Sequence, residues 1–451
     1  MRLKLLTLAL TLAAVSLPSH GEDLMDAYQQ ARANDPVLAQ ADAQRLGTHE
    51  GIAQARSALL PQISANASLN QSSSNQSFSA GLNSDDSSGH TRDRNYSASL
   101  TQSVFNLSQI ANLRAAHSSA NAQDELYTAA EQELYVRVAT AYFDVLTAED
   151  QLSYAQANED AYKQQYEQAN QRFKVGLSAI TDVYQAKSYY EGAKAQTLGA
   201  QNALDDAREA LTQITGKPVG DLKKLRDDLP LAPPSPADPR AWVDKALQNN
   251  PNVLSQQDNV AAAEHGINAA RANHLPTLSA SLSRGKTTSW YQNGSYYNPD
   301  PGVVAPGNAR WGTTVGLTLT VPIFSGGYTQ SVVRQQIYQR DSAQDALESQ
   351  RRLVRRNTLN YYRSVLAGIS QVQSGKAAVE SGEKALDATR AGFQVGTQTM
   401  TDVLLAIQTL TSAESTYSQN RHQFILDKLL LKQASGTADL KDLQTINALL
   451  Q

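Results

Sequence analysis

The chain has no cysteine among its 451 residues, and this absence excludes several kinds of chemistry. Disulfides, thiolate zinc sites, iron–sulfur clusters and cysteine nucleophiles all require the thiol. For the same reason we expect no lipid anchor on an N-terminal cysteine. A chain without thiols also suits an oxidising compartment, where free cysteines form unwanted disulfides.

Charge of one sign, aromatic residues and long apolar runs are also scarce. Lys and Arg number 39 against 43 Asp and Glu, a formal net charge of −4, which argues against a nucleic-acid partner bound by a basic face. Aromatic residues make up 6% of the chain, and mean hydropathy is −0.44. Beyond the N-terminus no run of 18 apolar residues exists, so the sequence predicts either a soluble protein or a membrane β-barrel.

The N-terminus has the pattern of a secretory signal peptide. Arg2 and Lys4 precede an apolar run, Leu5–Leu17, and the small residues Ser19 and Gly21 follow at positions suited to cleavage. The sequence therefore predicts a signal peptide over 1–21 and an exported mature protein. The alternative is a buried helix that starts the fold, which the charged start fits poorly.

Proline is absent from two long stretches, between Pro61 and Pro218 and after Pro322. Because proline breaks helix interiors, both stretches can form very long helices. Apolar residues recur there at helical spacing: Tyr127, Ala130, Leu134, Val138, Ala141 and Val145, then Leu347, Val354, Tyr361, Val365, Ile369 and Val372. Such narrow apolar faces are typical of coiled coils. A continuous helix from Leu107 to Phe173 would span about 100 Å.

Two segments, 61–105 and 276–324, have the texture of strands instead. The clearest alternation places apolar residues opposite Gly and Thr: Trp311, Thr313, Val315, Leu317, Leu319 and Val321. An apolar and a polar face suit a membrane barrel in an exported protein, and a soluble sheet packed on one face is the alternative. The polar stretches Ser72–Thr91 and Thr287–Ala309 are predicted to be long surface loops.

The chain is an internal duplication. The matching pairs are Arg172–Gly176 with Gly392–Gly396 and Thr181–Val183 with Thr401–Val403 at an offset of 220, and Leu60–Ala65 with Leu275–Ala280 at 215. Each half reads as a helix, two strands and a long helical hairpin, and a proline-rich insert joins the halves. Gly176 and Gly396 are predicted to cap the hairpin turns in the left-handed conformation.

These motifs resemble the TolC family of outer membrane efflux and export proteins. The resemblance covers Glu22 to about Gln451 and rests on Leu24–Ala31, His274–Pro276, Val321–Gly327 and both Val-Gly…Thr-Asp-Val turns. It implies an α+β fold and a homotrimer, in which four strands from each chain close one twelve-stranded outer membrane β-barrel. A periplasmic α-helical tunnel of coiled-coil hairpins would continue that barrel.

The predicted segments follow the duplication. They are the signal peptide (1–21), the helical first repeat (22–60), barrel strands 1 and 2 (61–105), the first hairpin (106–216), the proline-rich equatorial insert (217–245), the helical second repeat (246–275), barrel strands 3 and 4 (276–324), the second hairpin (325–436) and a C-terminal equatorial tail (437–451).

The resemblance also implies a function and its partners. The protein would be a passive exit duct of tripartite efflux pumps or type I secretion systems, in contact with outer membrane lipid. A periplasmic adaptor and an inner membrane transporter would be its protein partners. The positions that match the adaptor-contacting turns are Val175, Gly176, Leu177, Ser178, Val395, Gly396 and Thr397.

The positions that match the family's periplasmic gate depart from the family pattern. Thr181 and Asp182 retain the acceptors, but Phe393 replaces a tyrosine and Gln398 replaces an arginine. Because neither can form the original charged or hydroxyl bonds, the sequence predicts a looser latch. Asp402 retains one carboxylate of the narrow end, where it is expected to favour cations, and Leu405 occupies the second acidic position.

No catalytic or cofactor motif was found, so the sequence predicts neither an enzyme nor a bound cofactor or metal. The seven histidines, predicted to be isolated at the surface, are His20, His49, His90, His117, His265, His274 and His422. The alternative function is a periplasmic coiled-coil scaffold or adaptor without a pore. That class shares the long helices but is expected to lack strand pairs in both halves.

Overall fold

The structure, a computed structural model, describes residues 22–80, 83–295 and 308–451. The predicted signal peptide at 1–21 lies outside the described residues. The chain forms two compact units, one built from the described parts of 1–39, 130–246 and 355–451, and the other from 40–129 and 247–354. Within the described ranges, no helix is both long enough and apolar enough to cross a membrane.

Helices and strands alternate twice along the chain. In order they are α1 (Leu24–Asn34), α2 (Pro36–Ser57), β1 (Gln62–Ala80), β2 (Asn83–Phe105), α3 (Leu107–Lys174), α4 (Ile180–Thr215), α5 (Pro239–Asn249), α6 (Pro251–Ala272), β3 (Thr277–Ser295), β4 (Asn308–Thr320), α7 (Tyr328–Gln394), α8 (Met400–Ala434) and α9 (Leu440–Asn447). This order confirms a mostly helical α+β fold with a four-stranded sheet.

The long helices form where proline is absent. α3 runs for 68 residues and α7 for 67. In α3, Leu134, Val138 and Val145 of the predicted apolar face are fully buried. In α7, Val365 and Val372 are buried in the same way. Burial of these narrow apolar faces, rather than helix propensity alone, stabilises helices of this length.

The four strands form one antiparallel sheet in the order β1-β2-β3-β4. The register pairs Ile63 with Leu100, Leu100 with Leu282, and Leu282 with Val315, so one apolar row crosses all four strands. Directly paired residues lie on the same face of a sheet. The predicted alternation of apolar and polar faces is therefore confirmed.

The prediction of long surface loops at Ser72–Thr91 and Thr287–Ala309 was wrong for the described residues of both segments. Residues 72–80 pair with 83–91, and 287–289 pair with 308–310, as regular continuations of the strands. Ser and Asn have low strand propensity, but regular pairing gives partners to the backbone N–H and C=O groups that face the neighbouring strand. Residues 81–82 and 296–307 of the predicted loops lie outside the described residues.

The proline-rich insert pairs with residues near both ends of the described chain. Leu222 bridges to Glu22, and Leu225 bridges to Leu450 near the C-terminus. The hydroxyl of buried Tyr142 in α3 donates to the carbonyls of Glu22 and Lys223, at 3.1 and 2.9 Å. The insert is therefore fixed to the long helices by backbone pairing and by hydrogen bonds.

The prediction that every histidine is isolated at the surface was wrong for His422. Its ring is buried between α3 and α8, with Nδ1 2.7 Å from the Thr147 hydroxyl and the ring centroid 5.4 Å from that of Phe143. Burial lowers the pKa of His422 to about 4. The neighbouring side chains keep water away from this ring, and burial disfavours its charged form. No spacing motif in the sequence reveals such burial. His49 is also partnered, 2.9 Å from Asp124.

Candidate functional site

The first hairpin turn lies between α3 and α4. Gly176 has φ of +76°, and its N–H donates to the Phe173 carbonyl at 3.0 Å. The N–H of Leu177 reaches back to the Arg172 carbonyl at 2.8 Å. These bonds satisfy carbonyls that the end of α3 leaves open, and the left-handed residue between them suits glycine.

The second turn, between α7 and α8, repeats this geometry. Gly396 has φ of +81°, and the N–H of Thr397 donates to the Gly392 carbonyl at 2.9 Å. A Cβ at Gly176 or at Gly396 would meet no atom within 4 Å. Any strain on substitution would therefore come from the positive φ and not from crowding. Both predicted left-handed caps are confirmed.

Both turns present apolar side chains to solvent. Val175 and Leu177 are each 69% exposed and Val395 is 76% exposed, while Ser178 is half-buried and Thr397 is exposed. The apolar side chains make each turn a small protruding apolar surface.

The acidic residues of the predicted gate are engaged in local bonds. The Ser178 hydroxyl donates to Asp182 at 2.6 Å. Asp402 accepts from the Thr399 hydroxyl at 2.7 Å and from the Thr399 backbone N–H at 2.8 Å, as the N3 residue of a capping box. The bonds from Thr399 hold the pKa of Asp402 below its usual value. This carboxylate is therefore ionised at neutral pH.

The predicted partners across the hairpins are not brought together in one copy. Gln398 folds back over its own turn, with its backbone N–H 3.3 Å from the Gly392 carbonyl. Among the described residues, no hydrogen bond joins Gln398 or Phe393 to Thr181 or Asp182. The described contacts within a single chain therefore contain no bond from Gln398 to Asp182, and the looser latch stays a prediction.

Two other contacts join the hairpins near the turns. The Arg172 guanidinium lies 4.8 Å from the centroid of the Phe393 ring, a cation–π contact. The Thr401 hydroxyl donates to the Gln185 side chain at 3.1 Å. Sequence reasoning missed Arg172, Gln185 and Thr401 because it compared only matching motifs. The repeat held one indication of a special role for Arg172: the equivalent position in its second half is Gly392, so the arginine is not shared by both turns.

A buried apolar cluster lies next to the two turns, on the helices that they connect. Tyr162, Ala169, Val183, Met400, Val403 and Leu404 belong to it, and Phe393 packs against it. The Tyr162 hydroxyl donates to the Leu404 carbonyl at 3.2 Å, and burial raises the pKa of Tyr162 to about 12. The cluster contains residues of both hairpins, so it fixes the position of one turn relative to the other.

In the part of the chain that the structure describes, no group of three or more His, Asp or Glu side chains is placed to hold a metal ion. What the turns offer is exposed apolar surface, two hydrogen-bonded carboxylates and contacts between two hairpins. Such features suit docking and gating.

Comparison with known proteins gives the same family from sequence and from structure. The sequence model of a family described as "Outer membrane efflux protein" matches residues 27–217 and 242–437. Outer membrane protein TolC of Vibrio cholerae is 35% identical, over 99% of this chain and 98% of that protein. Alkaline protease secretion protein AprF of Pseudomonas aeruginosa is 30% identical, over 70% of this chain and 64% of that protein.

A solved structure supports the fold. Outer membrane protein VceC, also from Vibrio cholerae, superposes with a TM-score of 0.72 at 17% identity, covering 92% of this chain and 96% of that one.

Proposed function

We propose, because this chain belongs to the outer membrane efflux protein family, that three copies of it assemble into one passive exit duct. The chain is a channel of the cell outer membrane for efflux or secretion, and it extends into the periplasm. Its relatives are channels rather than enzymes. The alternative hypothesis, a periplasmic scaffold without a pore, has no support from these relatives.

The observation that carries the trimer is the pair of open sheet edges. Among the described residues, β1 and β4 each pair with a strand on one side, so the four-stranded sheet has two open edges there. In a membrane such groups need partners, and a barrel supplies them by closing on itself. Four strands from each of three copies would close a twelve-stranded barrel, continued by a tunnel of the long hairpins.

The same proposal assigns the remaining segments. The insert at 217–245 and the tail at 437–451 form an equatorial layer around the tunnel. Their support is the pairing of Leu225 with Leu450 and the bonds between the backbones of Lys224 and Gln451, at 2.8 and 3.1 Å. Residues 1–21 act as the signal peptide that directs export.

The hairpin turns are the proposed docking surface for a periplasmic adaptor, which in turn contacts an inner membrane transporter. The support is the exposure of Val175, Leu177 and Val395 beside glycines that leave the backbone open to close approach. Gly176→Glu with Gly396→Glu is expected to abolish transport while trimers still form. Asparagine at both positions is the matched control, because it tolerates positive φ without adding charge.

The gate residues Thr181, Asp182, Phe393, Gln398 and Asp402 would close this end of the duct. Phe393 and Gln398 cannot form the hydroxyl bond and the ion pair of the family latch. The Arg172–Phe393 contact and the Thr401–Gln185 bond connect the two hairpins in part instead. Three copies of ionised Asp402 would form one ring that favours cations. Asp402→Asn removes the charge and retains an acceptor for Thr399, so it should lower cation preference in bilayers without loosening α8.

Planar-bilayer recording of the purified full chain tests the whole proposal. Trimers should insert and give discrete conductance steps, with no substrate turnover and no added cofactor. Size measurement in detergent should give three chains per particle. A monomer, or a trimer that inserts without conducting, would contradict the exit duct.

A further inference from the structure

The two faces of the sheet differ sharply in composition. In the register above, the face with the apolar row carries Ile63, Leu100, Leu282, Val315, Leu317 and Leu319. The opposite face is built almost wholly from Ser, Thr, Asn and Gly, as in Ser64, Ser99, Ser283 and Thr314. In a membrane barrel, the apolar face meets lipid and the polar face lines the lumen.

Four cations lie on the apolar face and not on the lumen face. We call them the basic belt: Arg92, Arg94, Arg284 and Lys286. The register places Arg284 in the row of Ala98, and Lys286 in the row of Tyr96 and Trp311. Among the strand side chains that the structure describes, none on this face is acidic. The polar face carries Arg310 and Asp93 instead.

Aromatic rings accompany the basic belt. The Arg94 guanidinium lies 5.3 Å from the Trp290 ring, and Arg284 and Lys286 lie 5.7 and 5.6 Å from the Trp311 ring. Arg92 donates to the Gln71 side chain at 3.2 Å on the neighbouring strand. These contacts hold the cationic groups against the sheet and leave further N–H donors open, because each guanidinium has five.

Height along the strands places the belt at the external boundary of the membrane. Arg284 is seven residues beyond Thr277, the helix-connected end of β3, and Arg92 pairs with Trp290, thirteen residues beyond it. At about 3.4 Å per residue and a tilt of about 40°, the belt covers heights of about 18 to 34 Å. The apolar band of such barrels is about 25 Å tall, so the belt reaches the far headgroup layer.

We propose that the basic belt binds the phosphate groups of a phosphorylated lipid in the external leaflet of the outer membrane. This inference rests on the proposed function, because it needs the sheet to close as a barrel with its long helices in the periplasm. Three copies would then present twelve cations around the barrel. The lipid phosphates would be held from outside, and the conducting lumen would not be involved.

The chemistry favours phosphate over other occupants. Cations on a lipid-facing surface are costly near the midplane and tolerable at the boundary, and an anionic partner offsets the remaining cost. Arginine binds phosphate with two parallel N–H bonds, and three of the four belt residues are arginine. Among the described side chains of this face, no carboxylate lies beside the belt, so its charge is open to an anionic partner.

Native mass spectrometry of the full-length trimer with diphosphoryl lipid A tests the proposal. The apparent Kd should rise at least tenfold when Arg92→Gln, Arg94→Gln, Arg284→Gln and Lys286→Gln are combined. Phosphatidylcholine, which has no net charge, should bind weakly to both proteins. Inorganic phosphate at an equal concentration of phosphate groups should not displace lipid A, which separates a lipid headgroup from a free anion.

Arg310→Gln is the matched control, because it removes a cation from the other face of the same sheet. It should change the lipid A Kd less than twofold. The combined variant should keep the conductance of the native channel, so loss of lipid binding is distinguishable from loss of the duct. If that variant assembles poorly, Arg94→Gln and Arg284→Gln should each weaken binding about threefold. Unchanged binding in these variants, an equal loss in Arg310→Gln, or displacement by inorganic phosphate would overturn the proposal.

Discussion

The two halves of the chain share one backbone plan but are stabilised by different contacts. The first hairpin has helices of 68 and 36 residues, and the second has 67 and 35. Their turns agree as well, with φ of +76° at Gly176 and +81° at Gly396. The duplication has thus kept helix lengths and turns, while the side chains that hold each half together have diverged.

The first half uses charge where the second uses a neutral amide. Asp35 at the start of α2 accepts two bonds from Arg137, at 2.6 and 3.1 Å, and a third from the Leu38 N–H at 2.8 Å. The matching residue of the second half is Asn250, which caps α6 by accepting from the Asn252 N–H at 3.1 Å. The same helix start is therefore part of an ion pair in one half only.

The second hairpin has glycines at three helix contacts where the first has larger residues. Gly368, Gly375 and Gly382 follow at intervals of seven along α7. A Cβ on them would lie 3.1, 3.3 and 3.3 Å from side-chain carbons of Phe424, Tyr417 and Leu410, in that order. The first hairpin has Ala148, Ala155 and Tyr162 at the matching positions. Glycine lets α7 approach α8 closely, at a cost of about 1 kcal/mol of helix propensity each.

Asp35→Asn should have the largest effect, because it gives the first half the residue of the second. The Asp35 side chain is 2% exposed and that of Arg137 is 25% exposed, so the variant leaves a largely buried guanidinium without its carboxylate. We expect a loss of about 3 kcal/mol in the free energy of unfolding. Thermal unfolding of the trimer, followed by circular dichroism, measures it.

The ion pair between Asp35 and Arg137 should also make the first half of the chain sensitive to acid. Burial raises the pKa of Asp35, but the bonds from Arg137 and from the Leu38 and Val37 backbone outweigh it, and the net pKa is lowered. The pair's contribution is therefore present above the unfolded pKa of about 3.9 and is lost as pH falls through the lower folded value. Asn250→Ala removes the cap of α6 without breaking an ion pair of this residue, and it should cost about 1 kcal/mol. Equal losses from Asp35→Asn and Asn250→Ala would contradict the distinction between the halves.

Gly368→Leu should break the packing of the second hairpin. The new side chain must displace Phe424, whose Cα would lie only 3.7 Å from the Cβ. Overpacking of this kind costs about 2 kcal/mol after the gain in helix propensity. Gly199→Leu on α4 is the control, since nothing lies within 4 Å there in one chain, and it should be stabilising by about 0.8 kcal/mol. Unfolding midpoints that shift in the same direction would show that the glycines do not serve close approach.

Much of the fold was predictable from the sequence because its signals are local. A lack of proline and narrow apolar spacing predicted α3 nearly to the residue and the existence of α7, and Gly176 and Gly396 predicted the turns. The lengths of the strands were not predictable. Asn75 has little strand propensity, and only its pairing with Ser88 across the hairpin makes it a strand residue.

The contacts at the turns were harder to predict than the turns themselves. Motif matching indicated Asp182 and Asp402, but each is bonded within its own turn. The contact between Arg172 and Phe393 depends on how two helices pack, which no spacing in one helix encodes. Identification of tip and gate positions from the family motif therefore remains a prediction, whereas the caps are confirmed.

His422 should make the second hairpin more sensitive to acid than the first, which has Asn202 at the matching position. Burial, together with nearby Arg421, lowers its pKa to about 4, against the opposing charge of Asp150. Between pH of about 6.5 and 4 the unfolded chain binds the proton that the folded chain excludes. The free energy of unfolding should therefore decrease as the pH is lowered through this window, and at a pH of about 5.5 the loss should be about 1 kcal/mol.

Urea unfolding at several pH values measures that slope. His422→Asn should remove it, at the cost of some stability at neutral pH, because the ring's contacts with Thr147 and Phe143 are lost. His117→Asn alters an exposed histidine and should leave the slope unchanged. A slope that persists in His422→Asn would assign the acid sensitivity to other groups.

Arg172→Gln should have the smallest effect on stability, and its readout is the opening of the channel. It removes the cation from the Phe393 ring, a contact worth about 0.5–1 kcal/mol where solvent reaches it. If the contact is lost in each of three proposed copies, the closed state weakens by at least about 1.5 kcal/mol, close to a tenfold change in the closed–open ratio. Single-channel recording should show more frequent opening. Lys174→Gln makes the same charge change two residues away in the last turn of α3, so it separates this contact from the local charge.

Phe393→Tyr with Gln398→Arg should act in the opposite direction, because it restores a hydroxyl and a guanidinium that can bond to Asp182 or Thr181. If Arg172→Gln and Lys174→Gln open the channel equally, electrostatics of the turn and not the ring contact hold it closed. If the double substitution leaves opening unchanged, the second hairpin does not depend on the first through these residues.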